Sequence, residues 1–196
     1  MPAKPVLSDN DKLELRQKLK DLCEQGWITN GYKKTNIKEI CQAAKIAIGT
    51  FYVIYPAKEY LFFETVVDIQ KKLASEFLEV CQNNPSKDGF AKAIKEMLRK
   101  YDEKPFLYDI SKPDYQSFIT KLSPDAIEHI KFDSIVFFRK AIQTANLRLK
   151  TNENLAYAAL SALLSTIYAK DALSLTHDYL ATVDFMIDIL IPNIVE

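Results

Sequence analysis

Residues 31–61 read GYKKTNIKEICQAAKIAIGTFYVIYPAKEYL, two short helical runs separated by a tight turn. Asn36 has the short polar side chain that caps a helix N-terminus, and Glu39 follows three residues later, where a reciprocal acidic partner belongs. Ile37, Ile40, Cys41 and Ala44 then give one apolar side to a short helix. The chain turns through Lys45 and Ile46, and a further helical run resumes at Ala47-Ile48-Gly49-Thr50-Phe51-Tyr52. Pro56 biases Tyr55 away from helical angles, so this helix is short as well.

On the N-terminal side a helix is expected from Asp11 to Gln25, opened by Ser8, Asp9 or Asn10 as cap and buried along Leu15, Leu19 and Leu22. Gly26 and Gly31 mark its end. On the C-terminal side Phe62, Val66, Ile69, Leu73 and Phe77 recur at helical spacing, which predicts a long amphipathic helix from about Ala57 to Cys81. Asn83-Asn84-Pro85-Ser86 stops it, and a helix from Ser86 to Tyr101 buries Phe90, Ala93, Ile94, Met97 and Leu98. Pro105 and Pro113 bound a loop with one helical turn around 106–110. Short helix 114–122 follows, then a long one from the Ser123-Pro124-Asp125 start to about Lys150, and two more over 153–173 and 178–191. The expected fold class is therefore all-α, with about nine helices: a three-helix head and a helical bundle body.

The bulk numbers agree with an ordinary folded protein. At 196 residues, 48% hydrophobic and 27% charged, the chain can bury a sizeable core. Lys plus Arg and Asp plus Glu balance at 26 each, so any nucleic-acid contact must come from a local basic patch. The three cysteines, Cys23, Cys41 and Cys81, lie in apolar helical settings without metal-ligand spacing and read as buried thiols. The first residues lack the apolar run of a signal peptide, and no stretch has the ~20 apolar residues of a membrane span. The expected setting is the reducing cytoplasm, with no membrane association.

Short helices with a tight turn between the second and third, followed by a long helix, form the layout of a DNA-reading helix-turn-helix. The run 31–61, with Arg16 and Trp27 before it, resembles the DNA-binding signature of the tetracycline-repressor (TetR) family. Three positions depart from that signature: Lys45 stands for the usual glycine at the turn, Ala47 for serine, and Ile54 for tyrosine or histidine. A lysine there must accept a left-handed backbone, at about 1 kcal/mol, or alter the turn.

The resemblance implies a head of residues 1–56 that binds double-stranded DNA and a body of 57–196 that binds a ligand and dimerises. On this reading Thr35, Thr50, Tyr52 and Lys58 hold phosphates, helped by the capped N-terminus at Asn36 and the charges of Lys33 and Lys34. Gly49 permits close approach to the major groove, and Lys45, Ala47 and Ile48 come nearest the base edges. Tyr55 completes the candidate DNA-binding set, whereas Phe51 is assigned to the core. The resemblance further implies a homodimer joined through the last two helices, which spaces two recognition helices about 34–36 Å apart on a palindromic operator.

Aromatic residues are dense from Phe90 to Phe138, Phe132 among them. Packing alone accounts for such a stretch; the resemblance offers a ligand cavity instead. The candidate ligand-binding residues are Phe62, Tyr101, Phe106, Tyr115, Phe118, Phe137 and Tyr168, which suit a small apolar or aromatic inducer. His129 and His177 have no ligand cluster around them, and no catalytic or phosphate-loop motif occurs, so no enzyme activity, metal or cofactor is expected. The implied function is a transcription repressor released from its operator by a small molecule. The alternative is a protein of this fold that serves as a protein-interaction or ligand-binding module with weak or no DNA binding.

Overall fold

The computed structural model describes residues 8–108, 112–130 and 133–196; the notional end of the turn at 109–110 and Phe132 lie outside them. Helices α1 (Asp9–Lys34), α2 (Ile37–Ala44), α3 (Ile48–Ile54), α4 (Lys58–Asn83) and α5 (Lys87–Asp102) come first in the chain. After a 3₁₀ turn at Pro105–Leu107 follow α6 (Pro113–Ile119), α7 (Pro124–Ile130), α8 (Ser134–Thr144), α9 (Glu153–Leu164), α10 (Lys170–Leu173) and α11 (Tyr179–Ile194). The all-α expectation holds, and among the described residues the only β pairing is an isolated bridge between Leu149 and Val195.

Two compact units are present. The first takes residues 8–69 and 112–130, the second residues 70–108 and 133–196. In the first unit α1 supplies Leu19, Cys23 and Trp27, α2 supplies Ile40, Cys41 and Ala44, and α3 supplies Phe51 and Ile54, all buried. Leu61, Phe62, Val66 and Phe118 close this core, with the rings of Trp27, Tyr32, Phe62 and Phe118 meeting at centroid distances of 4.7–6.4 Å. The second unit buries Phe77, Cys81, Phe90, Ile94 and Leu98 against Phe138, Ala156, Leu160, Leu163, Val183, Ile187 and Ile191. Its α11 lies along α5, where Lys95 pairs with Asp188 (2.6 Å) and Arg99 with Asp184.

Several boundaries differ from the sequence-based expectation, each for a local reason. Helix α1 does not end at Gly26. It runs on through Gly26 towards Lys34, and the glycine there serves packing: a Cβ would lie 2.8 Å from the Thr35 methyl. The true break is at Gly31, whose φ of 77° and ψ of 171° only glycine adopts readily. The helix expected over 124–150 is two, α7 and α8, the second capped by Asp133, whose side chain accepts from Val136 N–H. It stops at Thr144, beyond which Asn146 takes a left-handed φ of 53°. Residues 148–150 then hydrogen-bond to the C-terminal strand-like residues 194–196. The helix expected over 153–173 narrows to 3₁₀ geometry at Ser165–Ala169 before the short α10.

Candidate functional site

The short helices α2 and α3 are held in place by α1. Lys18 Nζ donates to the carbonyl of Ala44 (3.0 Å), and Arg16 donates to that of Ile54 (3.2 Å), so each short helix has a cation at its negative C-terminal end. Arg16 also pairs with Glu64 (2.5 Å) and lies 4.9 Å from the Tyr55 ring centre, while the Tyr55 hydroxyl donates to the other Glu64 oxygen (2.7 Å). At the opposite end of α2, the Asn36 side chain accepts from Lys38 N–H, as its position in the sequence predicts. Lys45 ends α2 with φ 60° and ψ 42°, so of the two alternatives open to a lysine at this turn it takes the left-handed backbone.

This framework leaves one face of α3 bare. Phe51 and Ile54 are buried, whereas Ile48, Tyr52 and Val53 are 43%, 53% and 75% exposed. Ala47 gives α3 no side-chain cap. Around Gly49 no protein atom lies within 4 Å of where a Cβ would be, so nothing inside the chain requires a glycine there. Lys33, Lys34 and Lys45 are exposed, form no ion pair among the described residues, and surround the α2–α3 turn in sequence. Of the candidate DNA-binding residues, Lys33, Lys34, Asn36, Lys45, Ala47, Ile48, Gly49 and Tyr52 are exposed, and Thr50 is half-buried.

Three candidates are placed otherwise. Tyr55 is 1% exposed, with its hydroxyl taken by Glu64 and its acidity suppressed by burial and by that carboxylate, so it belongs to the core. Thr35 is buried, and its hydroxyl donates to the Gly31 carbonyl (2.6 Å), closing the break in α1. Lys58 is half-buried: its ammonium donates to the Tyr32 carbonyl and sits 4.3 Å from the Tyr32 ring centre. Burial lowers its pKa, with Lys121 adding to the effect. Its charge is committed within the unit.

Sequence reasoning missed Asp114. The break at Gly31 frees the N–H groups of Tyr32 and Lys33, and both donate to the Asp114 carboxylate of α6 at 2.5 and 3.0 Å. Tyr32 also donates its hydroxyl to Glu59 (2.6 Å), and Glu59 pairs with Lys121 (3.2 Å). No sequence signal links Asp114 to a backbone 82 residues away.

The second unit contains a cavity of about 480 Å³ between α4, α5, α8 and α9. Leu73, Phe77, Phe90, Ile94 and Leu98 line it on the α4 and α5 side; Ser134, Phe137, Phe138, Tyr157, Leu160, Ser161, Ser165 and Tyr168 line it on the other. Of the candidate ligand residues Tyr101, Phe137 and Tyr168 are in its wall. Phe62 and Phe118 are not: both are fully buried in the aromatic core of the first unit, where Tyr115 packs on Phe118 at 5.9 Å. Phe106 is buried but lies outside the lining. No group of His, Cys, Asp and Glu among the described residues could hold a metal ion.

The backbone arrangement can be set beside solved structures. A regulator from Mesorhizobium loti superposes over 92% of this chain and 95% of its own with a TM-score of 0.64, at 16% identity. The fold is that of the TetR-family transcriptional regulators. The transcriptional regulator FadR from Bacillus subtilis, solved in complex with stearoyl-CoA, matches over 90% of this chain and 98% of its own, with a TM-score of 0.60 and 14% identity. The TetR-family repressor AlkX from Dietzia, implicated in n-alkane biodegradation, matches over 90% and 93%, with a TM-score of 0.54 and 17% identity. By sequence, no family model and no curated protein matches the chain. Among the described residues no helix of this TetR fold is long and apolar enough to cross a membrane.

Proposed function

We propose that the protein is a TetR-type transcription regulator whose first unit docks on double-stranded DNA through α3 and whose second unit holds a small-molecule inducer. The observation that carries this reading is the bare face of α3. Ile48, Gly49, Tyr52 and Val53 are exposed on a helix whose other side is packed, whose C-terminal end is held by Arg16, and which follows the left-handed turn at Lys45 that ends α2. Phe51 and Ile54 anchor the inner side in the core, and the exposed outer side is the face that a helix entering a major groove needs. Lys33, Lys34 and Lys45 supply phosphate-binding charge, Tyr52 a hydroxyl, and Ile48 an apolar contact for thymine methyls.

Residues exposed on α9 and α11 support a dimer. Leu155, Phe185, Met186 and Ile189 are apolar and solvent-facing, the last three along one helix. Pairing these helices between two copies covers them and brings two heads to a palindromic operator. Helix α4 is a single rod from Lys58 to Asn83 that contributes to both units, so a ligand in the second unit acts on the same helix that anchors the first. Ligand release of a bound repressor is the mode we assign.

The exposed Val53 and Ile48 also suit a protein partner in place of DNA, the second reading. Selection of duplexes from a random pool separates the two: enrichment of a two-fold symmetric sequence supports the regulator, and recovery of no sequence above background at low salt favours the interaction module.

A further inference from the structure

The structure assigns the cavity of the second unit to an uncharged, largely apolar molecule that carries a carbonyl or ether oxygen; the assignment rests on the inducer-pocket reading above. Among the described residues none of the side chains in the cavity wall is Lys, Arg, His, Asp or Glu. A carboxylate or phosphate held against its apolar wall gives up hydration and meets no cation among the described residues in return, a cost that charged ligands do not recover on an apolar surface.

The polar side chains of the wall are the amide of Gln70 and a set of hydroxyls, and the hydroxyls are ordered. Tyr157, Ser161 and Ser165 recur every fourth residue of α9 and of the 3₁₀ turn that extends it, forming one stripe into the cavity. Ser134 joins this stripe from α8, its hydroxyl 2.5 Å from that of Tyr157. Two hydroxyls that share one hydrogen bond keep one O–H proton to donate elsewhere. The pair is solvent-exposed and borders a space that is also lined by the hydrocarbon of Leu73, Phe77, Phe90 and Ile94. A guest satisfies both sides when its apolar body lies on α4 and α5 and one acceptor oxygen reaches the Ser134–Tyr157 pair. Burial raises the pKa of the neighbouring Tyr101, which keeps it a neutral phenol.

Three naphthalenes of one shape test the assignment: 2-acetonaphthone with a neutral acceptor, naphthalene without one, and 2-naphthoate with a negative charge. Binding to the full-length protein is measured by equilibrium dialysis at pH 7.5. The expected order is 2-acetonaphthone first, naphthalene weaker by roughly 2- to 12-fold for the lost hydrogen bond, and naphthoate weaker than acetonaphthone by tenfold or more. In the double variant Ser134→Ala, Tyr157→Phe, with an unchanged melting curve, 2-acetonaphthone falls to the level of naphthalene and naphthalene is unaffected. Naphthoate binding as tightly as the ketone, or a double variant that keeps the ketone's advantage, overturns the ligand class and leaves the pocket standing. Failure of all three to bind overturns the pocket reading itself, and this assignment with it.

Discussion

Replacing Gly31 with alanine puts the break in α1 to a quantitative test. At φ 77° and ψ 171° an L-residue carries a strain of about 1–3 kcal/mol. The added Cβ also lies 2.9 Å from Asp114 Oδ2, so the carboxylate must move away from the Tyr32 and Lys33 N–H groups that it accepts from. Each such charge-assisted bond is worth about 1.5–3 kcal/mol when well shielded, and Asp114 is partly exposed, so the pair contributes about 1–2 kcal/mol. Together these give about 3 kcal/mol, which for a chain of 196 residues lowers Tm by roughly 6–12 °C. The assay is thermal unfolding followed by circular dichroism on Gly31→Ala, Asp114→Ala and the double variant. Asp114→Ala alone should lower Tm by roughly 3–6 °C, and the double variant by less than the sum, because the clash disappears with the carboxylate. A Gly31→Ala protein that melts within a degree of the parent refutes the argument.

Other outcomes follow from the same contacts. All three cysteines are buried, and burial pushes Cys23 up to about 12 and Cys81 up to about 11, so the native protein should not react with a thiol reagent at pH 8 until denaturant is added. Tyr32 and Tyr55 have pKa values raised above the ordinary 10 by burial and by Glu59 and Glu64, so the unfolded chain loses these protons first. Stability is then complete below pH 10 and falls as the pH rises beyond it, which denaturant titration at pH 8 and pH 11 checks. Phe185→Glu places a charge on the exposed apolar face of α11 and is expected to turn dimer into monomer in analytical ultracentrifugation; a variant that stays dimeric moves the interface elsewhere. Tyr52→Ala should weaken DNA binding about equally for all sequences, whereas Ile48→Ala should change which sequence is preferred, by about 1–3 kcal/mol at one position.

What could be read from the sequence was local. Asn36 as cap, Lys45 in a left-handed turn and Pro56 as a stop each act on backbone within a few residues, and the structure has all three features in or beside α2 and α3. Gly26 misled because a glycine required for close packing against Thr35 looks the same in sequence as one that ends a helix. The resemblance points Tyr55 to DNA and Phe62 and Phe118 to a ligand cavity, whereas all three pack in the core of the first unit: aromatic residues at helical spacing indicate burial without saying against what. The hydroxyl stripe of the cavity depends on α8 meeting α9 at Ser134 and Tyr157, and Asp114 on α6 meeting α1. Contacts of that range leave no periodic trace in a single sequence.

On the proposed function, the exposed face of α3 and the lysines around it meet a duplex. The most direct test of this claim is the salt dependence of binding to a selected operator, followed by fluorescence anisotropy from 50 to 200 mM salt. Lys33, Lys34 and Lys45 from two heads neutralise about six phosphates, which predicts a slope of log affinity against log salt near −5, reduced by about two in Lys34→Ala. Binding that is absent at 50 mM salt, or that does not change with salt, contradicts the claim.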